Sequence, residues 1–527
     1  MARDLSRETD VHVLQQAVKL LEHENARLVA EIGKLMTEIA ALKGQDPSGA
    51  QLRLQFLEHQ LAVLQKKLFG ESSERTPRSD SEEDGTKPVH KHNKRRKQNR
   101  IASITIRHEL PEAERKCALC GEELLEWEGQ HETSREVHVL RRAFVDCEHL
   151  QVKYRCRNGC SPKVAPPPRK LFRGARYSIG FALEVAIQKY LYHMPLARQV
   201  RQMRAEGLDV DTQTLWDQIN KLATLLGPLY ERILDFVLSH AVVGADETKW
   251  RMMGDKGPEG NKTWMVWTVA TERAVYYQIQ DSRSTAAAKK ILGGFSGTVV
   301  CDGYDVYPAL ARDERAMLLA FCWAHVRRKY KDIEKSFPPE TEAVVKLINE
   351  LFEIECAAPP GDSDAALAER ARLRNERSRD VVEKIKTWAI EVRTTPGTTL
   401  ADAIGYMTRH WSGLIRFLED PRIPLSNNTT ERANRNPVVG RKNHYGSRSK
   451  RGTEVAAILY SILETTRNAG VDAHAYLELA VERAQDGLPV ALPHELEAEV
   501  AARAAQHLAL AAASAKGENH AWPVGGA

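Results

Sequence analysis

The sequence is poor in aromatic residues and cysteine, and it lacks a long apolar run. Aromatic side chains are 6% of the 527 residues, and there are eight cysteines. No stretch has the roughly 20 apolar residues of a membrane-spanning helix, and residues 1–14 are too charged for a signal peptide. Four of the cysteines form two close pairs, which favours metal ligation in a reducing cytoplasm over disulfides.

An excess of charge of one sign is also lacking. The net charge is only +5, because 76 basic residues nearly cancel 71 acidic ones. A nucleic-acid signal must therefore come from local clusters. With 42% hydrophobic residues, a chain of this length predicts three or more folded domains.

The first segment contains a heptad repeat. Leucine recurs every seven residues from Leu14 to Leu42, and Val18, Ile32 and Ile39 occupy the alternate positions together with Asn25. This pattern favours a parallel two-stranded coiled coil, and a buried Asn fixes its register. The alternative is an amphipathic helix packed on its own domain.

A polar linker follows and leads into a basic run. Residues 71–87 are rich in Ser and acidic side chains, and residues 91–100 hold six Lys or Arg, among them Lys94, Arg95 and Arg96. The run is either a solvated segment or an arm that binds DNA phosphates.

Two cysteine pairs predict a zinc ribbon, since four thiolates complete a tetrahedral Zn²⁺ site. The pairs are Cys117 with Cys120 and Cys156 with Cys160. The second pair has three intervening residues, so Cys147 and His149 remain competing ligands. The segment either positions a DNA-contacting surface or only stabilises the fold.

Residues 177–238 have a helical pattern with a turn at Gly207. A helix, a Gly turn and a second helix are compatible with a helix-turn-helix, in which Thr214, Gln218 or Lys221 would face DNA. A plain helical connector has the same pattern.

The next region predicts a ribonuclease-H-like order of elements, with three strands, a helix, a strand, a helix and a strand. The strands are predicted at 241–245, 263–270, 274–280, 298–301 and 317–322. In that fold the first and fourth strands are neighbours, so Asp246 and Asp302, which follow them, should meet. A charged helical insertion is expected at about 335–420.

The segment 424–443 carries a third acid. Ser426 is expected to cap a helix that starts at Asn427 and holds Glu431 in its first turns. Asp246, Asp302 and Glu431 could together hold two Mg²⁺ ions for phosphodiester chemistry, with Glu247 and Asp305 as fallback ligands. A solvated, capped helix is the alternative for Glu431.

Polar and basic side chains surround the third acid. Asn427 and Asn428 are expected to hold the helix or meet the scissile phosphate, and His325 of Cys322-x-x-His325 either orients towards the site or only packs. The predicted DNA contacts of this segment are Arg432, Arg435, Arg441 and Lys442.

These residues resemble the transposases of the insertion sequence 66 family, TnpC type, whose catalytic domain is of the DDE class. The matching motifs are Leu68-Phe69-Gly70, the cysteine pairs, Asp246-Glu247-Thr248, Asp302-Gly303-Tyr304, Cys322-Trp323-Ala324-His325, Asn427-Asn428-x-x-Glu431-Arg432 and Gly440-Arg441-Lys442-Asn443. The resemblance implies that Asp246, Asp302 and Glu431 are the metal-binding triad. It also implies a leucine zipper, a zinc-binding DNA-recognition module and accessory proteins of the same element.

We therefore expect a multidomain α+β protein of the bacterial cytoplasm, nucleoid-associated when bound to DNA. It would cleave and join DNA at element ends, using Mg²⁺ or Mn²⁺ and structural Zn²⁺, as a homodimer or larger assembly. The alternatives are a DNA-binding regulator with an inactive nuclease-like domain and a simple nuclease. The expected segments are a coiled coil (1–70), a basic linker (71–100), a zinc domain (101–170), a helix-turn-helix-like domain (171–238), the catalytic domain (239–485) and an Ala-rich tail (486–527).

Overall fold

The computed structural model describes residues 120, 122–124, 144–155, 163–254, 256–257, 260–261 and 264–515. The predicted coiled coil, linker and basic run lie outside these residues, as do Cys117, Cys156 and Cys160. Among the described helices, none is both long enough and apolar enough to cross a membrane.

A short hairpin precedes the main body. Strands β1 (Lys153–Tyr154) and β2 (Lys163–Val164) pair antiparallel. In sequence they flank the segment that carries the second cysteine pair.

Four helices follow: α1 (Ile179–Tyr190), α2 (Leu196–Ala205), α3 (Thr212–Leu225) and α4 (Gly227–Leu238). The Ser178 hydroxyl accepts a hydrogen bond from the Phe181 amide and caps α1, and Asp211 caps α3 in the same way. Gly207 makes the turn between α2 and α3 with a φ of 92°, a conformation that costs glycine little. The helical pattern predicted from Tyr177 to Leu238 is confirmed.

A five-stranded mixed sheet forms the centre. Its long strands are β3 (Val242–Trp250), β6 (Trp264–Ala270), β7 (Val275–Gln280), β8 (Thr298–Cys301) and β9 (Leu318–Phe321), and the small hairpin β4 (Lys256–Gly257) and β5 (Gly260–Asn261) lies between β3 and β6 in sequence. The order across the sheet is β7-β6-β3-β8-β9, with β3 parallel to β8 and antiparallel to β6. The predicted neighbourhood of the first and fourth long strands is confirmed, and the sheet is consistent with a ribonuclease-H-like domain.

Helices α5 (Thr285–Leu292) and α6 (Val306–Asp313) connect the last three long strands. α6 lies on the sheet face to which Glu247 points, because the Tyr307 hydroxyl donates to Glu247. α5 shares that hydrophobic core through Ala288 and Ile291.

A helical insertion follows β9. It comprises α7 (Trp323–Asp332), α8 (Pro338–Ala357), α9 (Asp364–Leu373), a π-helical turn (Arg374–Ser378), α10 (Arg379–Glu391), α11 (Thr399–Arg409), α12 (Trp411–Leu414) and a 3₁₀ turn (Arg416–Leu418). Its apolar side chains form a second core, which joins the sheet at Val300 and Ala320. The predicted helical insertion is confirmed.

The last helices are α13 (Asn428–His444), α14 (Lys450–Asn468), α15 (Ala473–Gln485) and α16 (Glu497–Ala515), with a 3₁₀ turn (Pro493–Glu495) before α16. α14 covers the edge of the sheet, where Thr465 and Ser461 accept hydrogen bonds from the β7 amides of Val275 and Tyr277. This capping blocks further strand pairing at the edge.

Candidate active site

Alternate residues of β3 face α13. Gly244, Asp246 and Thr248 lie on one face of the strand, because successive side chains of a strand point to opposite faces. On that face Asn434 Nδ2 donates to Asp246 Oδ2 at 2.7 Å, and Arg441 Nη1 donates to Thr248 Oγ1 at 3.3 Å. Helix α13 therefore runs along the strand that carries the first predicted acid.

Gly244 allows this close approach. A Cβ atom at residue 244 would lie 2.8 Å from Asn427 Oδ1 and would collide with the Thr430 hydroxyl. The absence of a side chain at this position thus sets how near the start of α13 comes to the sheet.

Asp246 lies in the middle of β3, so its expected place at a strand end is wrong. The pairing between β3 and β6 continues from Asp246↔Thr268 to Trp250↔Trp264. The apolar run that suggested an end at residue 245 stops earlier than the strand, because residues 246–249 are all polar although they still pair with β6.

Asp302 follows β8 directly and lies beside Asp246. The parallel register pairs Gly244 with Val300, and continuing it by two residues sets Asp302 opposite Asp246. The Tyr304 amide donates to Asp302 Oδ1 at 3.1 Å. Asp246 thus lies on β3, and Asp302 directly follows the neighbouring strand β8.

The start of α13 differs from the expected one. The helix begins at Asn428 rather than Asn427, and its N-cap is Asn427 instead of Ser426. Asn427 makes no side-chain capping bond, and its Nδ2 donates instead to the Ala245 carbonyl at 2.8 Å. The backbone N–H of Asn427 donates to Cys322 Sγ at 3.2 Å. This buried residue therefore connects α13 both to β3 and to the end of β9.

Glu431 lies in the first turn of α13, as predicted. Its Oε1 lies 3.6 Å from His325 Nδ1, and neither atom has a hydrogen-bond partner although both are buried. Ligand atoms of Cys322, His325 and Glu431 all lie within 4.8 Å of one another. The start of α7 and the start of α13 therefore face each other at the third acid.

Burial and neighbouring carboxylates raise the proton affinity of Asp246. Burial raises the pKa of Asp246 to about 7, and the charges of Glu247 and Asp302 add to the rise, while the Asn434 hydrogen bond opposes it. An acid with this pKa is partly protonated at neutral pH, so a bound cation would replace a proton there.

Glu247 points away from Asp246 and is already paired. Arg283 Nε donates to Glu247 Oε1 at 3.0 Å, and the Tyr307 hydroxyl donates to its Oε2 at 2.8 Å. The Arg283 guanidinium also lies 3.7 Å from the Tyr304 ring centroid, next to Asp302. Glu247 thus supports the Asp302 loop instead of standing free as a fallback ligand, and Asp305, the other fallback, is exposed.

Three supporting residues were missed by the sequence analysis. Asn434 orients Asp246, Arg283 links Glu247 to the Asp302 loop, and Tyr406 of α11 packs so closely on Gly303 that a Cβ there would collide with its ring. Asn434 lies one helical turn after Glu431, and this spacing could have indicated in the sequence that both side chains lie on one face of the helix. No local pattern marks Arg283 or Tyr406.

The predicted DNA contacts of α13 have different surroundings. Arg432, Arg435 and Lys442 are exposed, as is Asn428, whereas Arg441 is half-buried against Thr248. Three cations thus lie on the solvent side of the helix that carries Glu431.

Gln218 cannot face DNA, because it is buried in α3. Helix α3 packs in the same hydrophobic core as the sheet, and Arg451 of α14 donates to Asn220 at 2.7 Å. Thr214 is half-buried and Lys221 is exposed. Of the predicted zinc ligands, only Cys120 is among the described residues, where it is exposed, as are the competing Cys147 and His149.

Comparison with known proteins identifies the family. Residues 174–455 match the family described as "Transposase IS66 family". The chain is 31% identical to the uncharacterized protein y4jD of Sinorhizobium fredii (strain NBRC 101917 / NGR234) over 64% of this chain and 69% of the relative. It is 27% identical to the uncharacterized protein y4qI of the same strain over 93% of this chain and 96% of the relative. From its fold and these matches, the chain belongs to the IS66 transposase family, whose DDE domain cleaves DNA and transfers strands.

Proposed function

We propose that this transposase cleaves and joins DNA at the ends of its element, with Asp246, Asp302 and Glu431 as the catalytic carboxylates. The observation that supports the proposal is the docking of α13, the helix that carries Glu431, on β3: its Asn427 bonds to the Ala245 carbonyl and its Asn434 to Asp246. The three acids come from segments far apart in sequence.

The donor set fits divalent Mg²⁺ or Mn²⁺. Carboxylate oxygens are the ligands that these ions prefer, and two such ions are the usual complement for phosphodiester transfer. The buried, unpartnered Glu431 Oε1 and the raised pKa of Asp246 both indicate that negative charge at the site lacks compensation. When bound, the ions would activate a water or a 3′-hydroxyl and neutralise charge on the phosphodiester.

The neighbouring residues hold the acids in place. Asn434 fixes the rotamer of Asp246, and the Tyr304 amide fixes that of Asp302. His325 lies beside Glu431, where its imidazole can orient the carboxylate or accept a proton during the reaction. We assign His325, Asn427 and Asn434 as positioning residues.

Exposed cations of α13 would follow the DNA backbone. Arg432, Arg435 and Lys442 lie on the helix that carries Glu431, so a phosphate bound by them is near the reacting bond. Arg441 is held by Thr248 and would contribute mainly to helix placement.

The remaining proposals concern segments of which, among the residues named, only Cys120 is described. A zinc ribbon formed by Cys117, Cys120, Cys156 and Cys160 would support DNA recognition, and Lys94, Arg95 and Arg96 would add phosphate contacts. The heptad repeat would form a homodimer, which suits a reaction that joins two DNA ends. Accessory proteins of the same element are further partners.

Cleavage and strand transfer with terminal-repeat DNA test this function. The full chain is given Mg²⁺ and the element's accessory proteins, and the Asp302→Asn variant is compared with it. We expect Asp302→Asn to bind DNA normally and to lose activity by about a hundredfold or more, because a ligand of the reacting centre is removed.

Asp305→Asn is the matched control, since Asp305 is an exposed acid three residues away. It should keep its activity. If the intact protein only binds DNA, the enzyme assignment fails and a DNA-binding regulator is favoured. Cleavage without a joined product would instead indicate a nuclease.

A further inference from the structure

A second cluster of ligand-bearing side chains lies where α15 and α16 pack together. His474 and Glu478 are one helical turn apart on α15, and His507 of α16 faces them. His507 Nε2 lies 2.9 Å from Glu478 Oε2, and His474 Nδ1 lies 3.5 Å from Glu478 Oε1. Their ligand atoms all lie within 4.8 Å of one another.

The distance of 3.5 Å between His474 Nδ1 and Glu478 Oε1 fits a tetrahedral zinc site. Zn–N and Zn–O bonds of about 2.0–2.2 Å place neighbouring ligand atoms about 3.4 Å apart. The two imidazole rings lie 5.5 Å apart between centroids at an interplanar angle of 85°, so both rings can turn a nitrogen to one point. Two histidines and one glutamate form a ligand set found in zinc proteins, and water would take the fourth position.

A hydrogen bond between α15 and α16 does not by itself explain the cluster. His507 reaches the carboxylate within hydrogen-bond distance, but His474 Nδ1 is buried and has no hydrogen-bond partner. A buried polar atom without a partner costs free energy. A cation between the three side chains would use this nitrogen.

Arg503 completes the surroundings of Glu478. Its Nη1 donates to Glu478 Oε2 at 3.2 Å, and its Nη1 and Nη2 each donate to Glu482 at 2.9 Å. Glu478 Oε1 takes no part in these bonds and is therefore available to bind an ion. Such an outer hydrogen bond fixes the carboxylate, as commonly seen around metal ligands.

We propose that His474, Glu478 and His507 bind one Zn²⁺ ion that ties α16 to α15. The site is separate from the three catalytic carboxylates and from the cysteine pairs. It gives the Ala-rich C-terminal segment a role, because the ion would anchor a helix in which Val500 is the only buried side chain among residues 497–511.

Zinc content of the full chain tests the site. Protein reconstituted with Zn²⁺ and freed of excess ion is analysed by mass spectrometry for zinc per chain. We expect His474→Gln and His507→Gln each to hold one zinc fewer than the unchanged protein. The predicted cysteine site contributes equally to all samples.

His494→Gln is the control, because His494 lies just before α16 but outside the cluster. It should keep the full zinc content. Equal zinc in His507→Gln and the unchanged protein would overturn the proposal.

Hydrogen exchange of the unchanged protein gives a second test that needs no variant. The amides of α16 should exchange more slowly with Zn²⁺ than without it, because the ion links the helix to α15. Exchange in α16 that is independent of Zn²⁺ would contradict the site. Neither measurement depends on DNA cleavage.

Discussion

At the residue scale, the pKa of Asp246 in the proposed active site is strongly raised. Its folded-state pKa of about 7 lies well above the ordinary value of 3.8 because the carboxyl group is buried beside two other acids. Without metal, this raised pKa stabilises the fold fully below about pH 4, and that contribution is lost as the pH rises through about 7. A bound divalent cation has the opposite effect, because it stabilises the ionised carboxylate of Asp246.

Metal affinity should therefore depend on pH. We expect the affinity for Mn²⁺, measured by calorimetry, to rise about tenfold per pH unit up to about pH 7 and then to level off, because the ion displaces one proton. Asn434→Ala removes the hydrogen bond that lowers the pKa of Asp246, so its curve should shift to higher pH. Affinity that is constant between about pH 5 and pH 8 would contradict this account.

At the scale of elements, the proposed site depends on the contact between α13 and β3. Gly244 gives the helix its position, and Asn427 and Asn434 fix it through hydrogen bonds to the Ala245 carbonyl and to Asp246. The helix and the strand are far apart in sequence, so their contact forms only in the folded protein.

Replacement of Gly244 tests this contact. Gly244→Ala should lower the free energy of unfolding by about 1–3 kcal/mol, because the new methyl group collides with Thr430 and displaces α13. Its metal affinity should fall as well, since Glu431 moves with the helix.

Gly405→Ala is the matched control. A Cβ at residue 405 of α11 would meet nothing within 4 Å, so this variant should keep or gain stability. Unchanged stability and metal affinity in Gly244→Ala would refute the proposed role of the glycine.

Local patterns predicted the elements better than their contacts. The strand 298–301 was predicted at its observed bounds, because Thr298 and three apolar residues end at a polar Asp-Gly turn. The end of β3 was wrong because its pairing with β6 continues through polar residues. Arg283 and Tyr406 were not predictable, since their contacts with the site come from tertiary packing.

At the scale of the whole molecule, our proposal assigns the chemistry and the DNA contacts to one surface. Arg432, Arg435 and Lys442 are exposed on the helix that brings Glu431 to the sheet. The opposite side of the sheet carries α5 and α6, whose exposed cations include Lys290, Arg312 and Arg315 near the end of α6. DNA bound for cleavage should meet the first set and not the second.

Salt dependence of DNA binding tests this orientation. Changing Arg432, Arg435 and Lys442 to Gln should weaken binding and reduce the slope of log affinity against log salt by about 0.9 per lost phosphate contact. The same changes at Lys290, Arg312 and Arg315 remove equal charge and should leave the slope near its original value. Equal effects of the two sets would show that net charge alone governs binding.

The most direct test of the catalytic centre is anomalous diffraction from crystals of the full chain soaked in Mn²⁺. The account predicts manganese within about 2–2.5 Å of carboxylate oxygens from Asp246, Asp302 and Glu431, and no such peak at the first two in Asp302→Asn crystals. Manganese bound elsewhere, with Glu431 turned away from both aspartates, would contradict the assignment of these three residues.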